Sequence, residues 1–305
     1  MTSDRDRPTV PARAPFGVFT PLQPGQCSQV RTMSRDGTSS TLVLEVPFRL
    51  EAPNWTPDGG TLVVNGGGKL FALRLSDATL TEIPVDGVDD ANNDHVLSCD
   101  GATIYLSAAG AIYSVPLAGG TPSRLSPEGS DAYYLHGISP DGARLACTVK
   151  CHGRPDAPWA LHLLPAAGGA PTALLAGMPP VDGPEWSPDG GWIWFNGELE
   201  ADYPGHAQIF RFRPDGSGLE RMVTSATADW FPHPSPDGRE VLFLSYPEGT
   251  RGHPADEQVH LRLLDLATGQ SRTMASLLGG QGTINVNSWS PDSTHFAFVS
   301  YPVKA

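Results

Sequence analysis

The chain has 305 residues, of which 39% are apolar and 17% charged, and its 33 acidic against 20 basic side chains leave a net charge of −13. That apolar share excludes a fully disordered chain, and the acidic balance argues against nucleic acid or anionic lipid as partners. The 34 glycines and 30 prolines, about a fifth of the chain, exclude a helical bundle.

Residues 1–15 are polar and carry no apolar stretch of the signal-peptide kind, so they read as a flexible segment ahead of one domain over 16–305. No apolar run approaches the roughly 20 residues that span a bilayer. A soluble, cytoplasmic protein is expected. The cysteines, Cys27, Cys99, Cys147 and Cys151, are too few for a disulfide framework, and Cys147 with Cys151 and His152 lacks zinc-site spacing.

Repetition then dominates the chain. Trp55-Thr56-Pro57-Asp58-Gly59 returns as Ser98-Cys99-Asp100-Gly101, Ser139-Pro140-Asp141-Gly142, Ser187-Pro188-Asp189-Gly190, Ser235-Pro236-Asp237-Gly238 and Ser290-Pro291-Asp292-Ser293. Successive aspartates lie 42, 41, 48, 48 and 55 residues apart, the length of a propeller blade. Proline presets the turn, aspartate bonds its own backbone, and glycine accepts positive φ; these residues therefore shape hairpins and are not a catalytic set. An apolar strand follows each copy: Thr61–Val64, Thr103–Leu106, Arg144–Val149, Trp192–Phe195, Glu240–Leu244 and His295–Val299.

Five copies continue as strand, turn and strand, over Lys69–Ile83, Ala111–Leu125, Trp159–Leu175, Gln208–Val223 and His260–Met274. The sixth has no room for this half. Its counterpart lies near the N-terminus, in Ser28–Gly37 and Thr41–Val46. The expected fold is all-β, a six-bladed β-propeller whose last blade pairs N-terminal with C-terminal strands and hides its edges. Trp55, Trp186 and Trp289 are expected to pack between blades.

The Trp-Ser-Pro-Asp-Gly repeat followed by an apolar strand resembles the WD40-like repeats of TolB-type six-bladed propellers, from about Phe16 to Ala305. Proteins sharing this repeat include periplasmic TolB, the propeller halves of prolyl-oligopeptidase-like enzymes, and oligogalacturonate lyases. The chain departs from the first in showing no leader and no N-terminal α/β domain, and from the second in having no hydrolase domain and no G-x-S-x-G elbow. The resemblance implies the fold and leaves the activity open.

In a propeller the innermost strands line a channel. The polar residues ahead of each turn are Asn54, Asn93-Asp94-His95, His136, Glu185, His233, Asn285 and Asn287, and symmetry is expected to gather them at one mouth. Neutral imidazoles with a carboxylate or amide suit a divalent ion. Without one, a histidine serves as base and a glutamate as acid or orienter. Oligogalacturonate lyases hold a divalent metal in this channel with histidines and a glutamine. The resemblance thus marks His136 and His233 as metal ligands (for Mn, Ca or Zn) and Gln281 as an amide ligand, although the lyases' H-x-H spacing is absent.

Three insertions, 151–156, 197–206 and 246–256, join second and third strands, and are expected on the same face as the channel residues. They carry Arg154 and Arg251 as carboxylate or phosphate clamps, His253 as a ligand contact, and Tyr203 and Tyr246 as sugar-stacking rings. Asn196 lies beside the second insertion as a further binding residue. Gly279-Gly280-Gln281-Gly282-Thr283 is no phosphate loop, since no lysine follows and no helix is expected.

Two functions follow. One is a small-ligand site, for a carbohydrate or sugar acid, with metal-assisted elimination or hydrolysis as its chemistry: His233 or His136 as ligand or base, Glu185 as acid, base or ligand, and Arg154 or Arg251 as anion clamp. The other is a non-enzymatic ring that presents loops to a protein partner.

Overall fold

A computed structural model describes residues 20–304 apart from 155 and 157; the expected flexible segment 1–15 lies outside the described residues. Six antiparallel sheets follow one another in chain order. The first blade contains Glu51–Trp55, Thr61–Gly66, Lys69–Arg74 and Thr79–Ile83, and the next four repeat this order of four strands. Their innermost strands are Ala91–Leu97, Ala132–Ile138, Val181–Trp186 and Ala228–Pro234. No helix of the described residues is long and apolar enough to cross a membrane.

The sixth blade closes the ring as expected. Ser28–Ser34 pairs on one side with Ser40–Val46 and on the other with His295–Ser300, from Gln29 opposite Ser300 to Ser34 opposite His295. Trp289 bridges Phe296 and supplies the innermost position. A charged latch backs this pairing. Arg35, just past the N-terminal strand, reaches Asp237 and Glu240 of the fifth blade, and Glu240 also accepts a hydrogen bond from Arg272.

Each repeated turn works as its residues require. Ser or Thr donates its hydroxyl to the aspartate two residues on, as in Ser98 to Asp100 and Thr56 to Asp58, both 2.6 Å. The same aspartate accepts the backbone N–H two residues later, and the hydroxyl accepts the N–H that opens the next strand. These bonds hold the aspartates below their ordinary pKa, to about 2 at Asp292. The turn glycines have positive φ, and Ser293 takes that conformation in the sixth copy.

The core lies between blades. Trp186 packs with Ala146 and Leu161 of the third blade, and Trp289 with Phe231 and Leu242 of the fifth. The Trp289 indole N–H also donates to the His233 carbonyl. Trp55, half-buried, packs against the cluster of Val299 and Leu62.

Candidate functional site

The innermost strands do not alternate regularly. In the first, fourth and fifth blades a bulge falls in the segments Glu51-Ala52-Pro53-Asn54, Asp182-Gly183-Pro184-Glu185 and Trp230-Phe231-Pro232-His233. The residue before each proline is left-handed, with φ of 53° at Ala52, 63° at Gly183 and 55° at Phe231. An extra residue in a strand re-aims its neighbours. Here it sets two rows of polar side chains along the channel, Glu51 and Asp182 in one, Asn54, Glu185 and His233 in the other. Phe231 is fully buried in its uncommon conformation and is fixed there by donating its N–H to Asn196 Oδ1.

The expected single mouth is therefore two. The three insertions do join second and third strands, and they share a face with Glu51 and Asp182. Asn54, Glu185 and Asn287 line the opposite mouth, among the repeated turns.

At the loop-side mouth, His136 Nε2 lies 2.9 Å from Asp182 Oδ1. Burial works against charge on this imidazole, but Asp182 and then Asp94 overcome it and raise its pKa to about 9. Burial likewise opposes ionisation of Asp182, yet His136 and His253 bring its carboxyl down to about 2. Burial pushes Asp94 up to about 6 against the pull of His136. Asp94 accepts hydrogen bonds from Asn285 Nδ2 and Asn92 Nδ2, both 2.6 Å. Glu51, raised to about 7 by burial despite Arg49, completes the acidic set. Arg49 itself is paired with Asp256.

His253 Nε2 stands 3.6 Å from the other oxygen of Asp182, its ring edge-on to Trp230, and burial lowers its pKa. Gln281 donates to Asn93 Oδ1 at 3.4 Å. It sits in a single 3-10 turn, Gln281–Thr283, where no helix was expected. Half-buried Tyr134 has its pKa raised by burial and by nearby Asp94 and Asp182, which places it at the same mouth. Beside it a cavity of about 290 Å³ opens between the second and third blades, walled by Asn92, Ala108, Ala132 and Tyr134.

Of the expected residues, His136, His253, Gln281 and Asn285 thus meet at the loop-side mouth, with Asp94. Asp182, Glu51 and Tyr134 were missed. The first two stand two residues ahead of a proline that precedes a turn, and the repeated pattern of acid, small residue, proline and polar residue could have found them. His95 is turned away from the channel: its Nε2 faces the Val63 carbonyl at 3.2 Å, and burial lowers its pKa to about 4. Asn196 is fully buried as the brace of Phe231. Arg154 and Arg251 are exposed on their loops, and Arg251 packs against Gly205 of the neighbouring insertion. Tyr246 is a core residue whose hydroxyl donates to the Pro254 carbonyl, and Tyr203 donates to the Ala226 carbonyl. Tyr246 offers no free ring face, and the Tyr203 ring already stacks on His206 with centroids 4.5 Å apart.

The donor set does not fit the metal that the resemblance implied. His136 Nε2 is already engaged by Asp182 at 2.9 Å. His233 Nε2 donates to the Ile284 carbonyl at 2.5 Å, and its Nδ1 lies 3.7 Å from Glu185. Among the described residues no group of three or more His, Cys, Asp or Glu is spaced to hold a metal ion.

These features define a closed six-bladed β-propeller with a polar channel and two chemically distinct mouths. No family model matches the sequence. An uncharacterized protein of Agrobacterium fabrum is 40% identical over 267 residues, 85% of this chain and 87% of that protein. The solved structure of a candidate TolB from Agrobacterium tumefaciens is 37% identical, with a TM-score of 0.84 over 91% of this chain and 99% of its own. The chain belongs to the TolB-like family of six-bladed β-propellers. An oligogalacturonate lyase in complex with manganese shares the fold alone, at 14% identity and a TM-score of 0.53 over 82% of this chain and 67% of its own.

Proposed function

We propose that the protein binds a small polyhydroxylated ligand, a carbohydrate in class, at the loop-side mouth of its channel. The observation that carries this reading is His136, its Nε2 2.9 Å from Asp182 and its pKa raised by Asp182 and Asp94, beside the amides of Asn285 and Gln281 and the ring of Tyr134. Carboxylates and amides accept and donate to hydroxyl pairs, and a half-exposed aromatic ring covers the apolar face of a sugar. Two carboxyl groups, Asp94 and Asp182, act on the His136 imidazole, and Glu51 stands near Asp94. That balance favours an uncharged sugar over a sugar acid.

Binding without turnover is the reading supported best. His136 is engaged by Asp182 through Nε2, His233 is tied through Nε2 to the Ile284 carbonyl, and the two arginines assigned to an anion lie exposed on loops. Calorimetric titration with neutral mono- and disaccharides, glucosamine and galacturonate tests this. A neutral sugar should bind the wild type and raise its melting temperature by mass action, and Asp182→Asn and Tyr134→Leu should each weaken it at least tenfold. Binding of galacturonate in preference to every neutral sugar, or equal binding by both variants, would refute it. Failure of all sugars would favour the protein-interaction ring instead.

A further inference from the structure

The opposite mouth is a different environment. A cavity of about 320 Å³ is bounded by residues of all six blades and rimmed by the turn prolines Pro57, Pro140, Pro188 and Pro236. At its floor stand Asn54 and Glu185, from blades facing each other across the axis, each more than nine-tenths buried. Asn54 donates its amide to the Asn287 carbonyl, which leaves Oδ1 with no partner. Glu185 Oε1 accepts the Trp186 N–H, and its Oε2 faces His233 Nδ1 at 3.7 Å. The residue following each, Trp55 and Trp186, also lines the cavity and has an indole N–H without a partner. Buried polar groups are ordinarily satisfied, so the Asn54 acceptor and the two indole donors, left open on two facing blades, point to something that completes them.

We infer that this turn-side mouth is a second binding site, for a small uncharged ring compound carrying an amide. The chemistry follows from the walls. Proline rings and the side chains of Val96, Leu97 and Ile138 give an apolar collar for a flat ring. The cavity has no basic side chain to accept an anion. Its one carboxyl, Glu185, has its pKa raised by burial, so a charged amine is no better matched. An amide supplies both the N–H that Asn54 Oδ1 lacks and the carbonyl that an indole N–H lacks.

Cys99 replaces proline in the second turn, lies exposed on the rim, and reports occupancy through its alkylation. Benzamide, benzoate and benzylamine present one ring with a neutral amide, an anion and a cation. Peptide-resolved alkylation by iodoacetamide should slow at least fivefold at Cys99 with benzamide, with Cys151 unaffected. Benzoate and benzylamine should protect at least tenfold less well. Ligand-detected NMR should show benzamide lost from Cys99→Trp, which overhangs the mouth, and weakened at least fivefold by Asn54→Leu, in variants whose melting temperature matches the wild type. Asp182→Asn, at the far mouth, should bind benzamide unchanged. Absence of protection by benzamide, equal protection by either charged probe, or full binding by Cys99→Trp would overturn the inference. None of these results bears on sugar binding at the loop-side mouth.

Discussion

Asp182→Asn probes the electrostatics of the channel directly. The wild-type His136 pKa of about 9, against an ordinary 6.5, corresponds to about 3 kcal/mol in favour of the imidazolium. Asp182 is the nearer of its two carboxylates, so the neutral isostere should leave Asp94 alone to oppose burial and lower the His136 pKa. A raised histidine pKa stabilises the fold fully below 6.5, and this contribution disappears as pH rises through about 9. Urea unfolding at pH 6 should therefore show the variant less stable by about 1–3 kcal/mol. At pH 10 the gap should close or reverse, because Asp94 and Asp182 then face each other with no cation between them. A histidine-resolved NMR titration reads the pKa in the same samples. An unchanged His136 pKa in the variant, or an equal loss of stability at both pH values, would refute the reasoning.

At Glu51 the substitution, not the pH trend, has the opposite sign. Its carboxyl is raised to about 7 by burial, so its ionisation costs stability progressively as pH climbs from 4.5 to about 7. Glu51→Gln should match or exceed the wild type at pH 8, by at most about 3 kcal/mol, and a chemical-denaturation series across that range checks it. Glu240→Ala leaves Arg35 and Arg272 without their shared acceptor; because both arginines are partly exposed, the cost should be about 1–3 kcal/mol, with earlier protease cleavage within 28–46. Gly183→Ala places a Cβ 2.8 Å from Asn196 Oδ1 at a φ of 63°, and thermal melts should show a loss of about 1–3 kcal/mol.

The architecture was legible because each level of the sequence agreed. Turn residues, apolar strands and a missing half-blade found near Ser28 all pointed to one closed ring. The channel was harder to read. Strict alternation would put His95 and Asp94 on opposite sides but cannot say which side faces the axis, and it was Asp94 that faces it. The bulges at Ala52, Gly183 and Phe231 shift the count by one residue, which hid Glu51 and Asp182 behind their prolines. Arg154, Arg251 and Tyr246 were assigned from loop position alone, and nothing in a loop's composition states whether its side chains turn toward the axis or into the core.

The shared blade has a bearing on how the protein is made. Ser28–Ser34 emerges from the ribosome early, yet its inner partner, His295–Ser300, is among the later segments translated. Until then the N-terminal hairpin has an open edge and Leu50, Leu62 and Tyr301 cannot share their cluster. Contacts of such long sequence separation slow folding and leave partly finished chains prone to aggregate. Nascent chains truncated before His295 should accordingly need chaperone protection, while those released after Tyr301 should not.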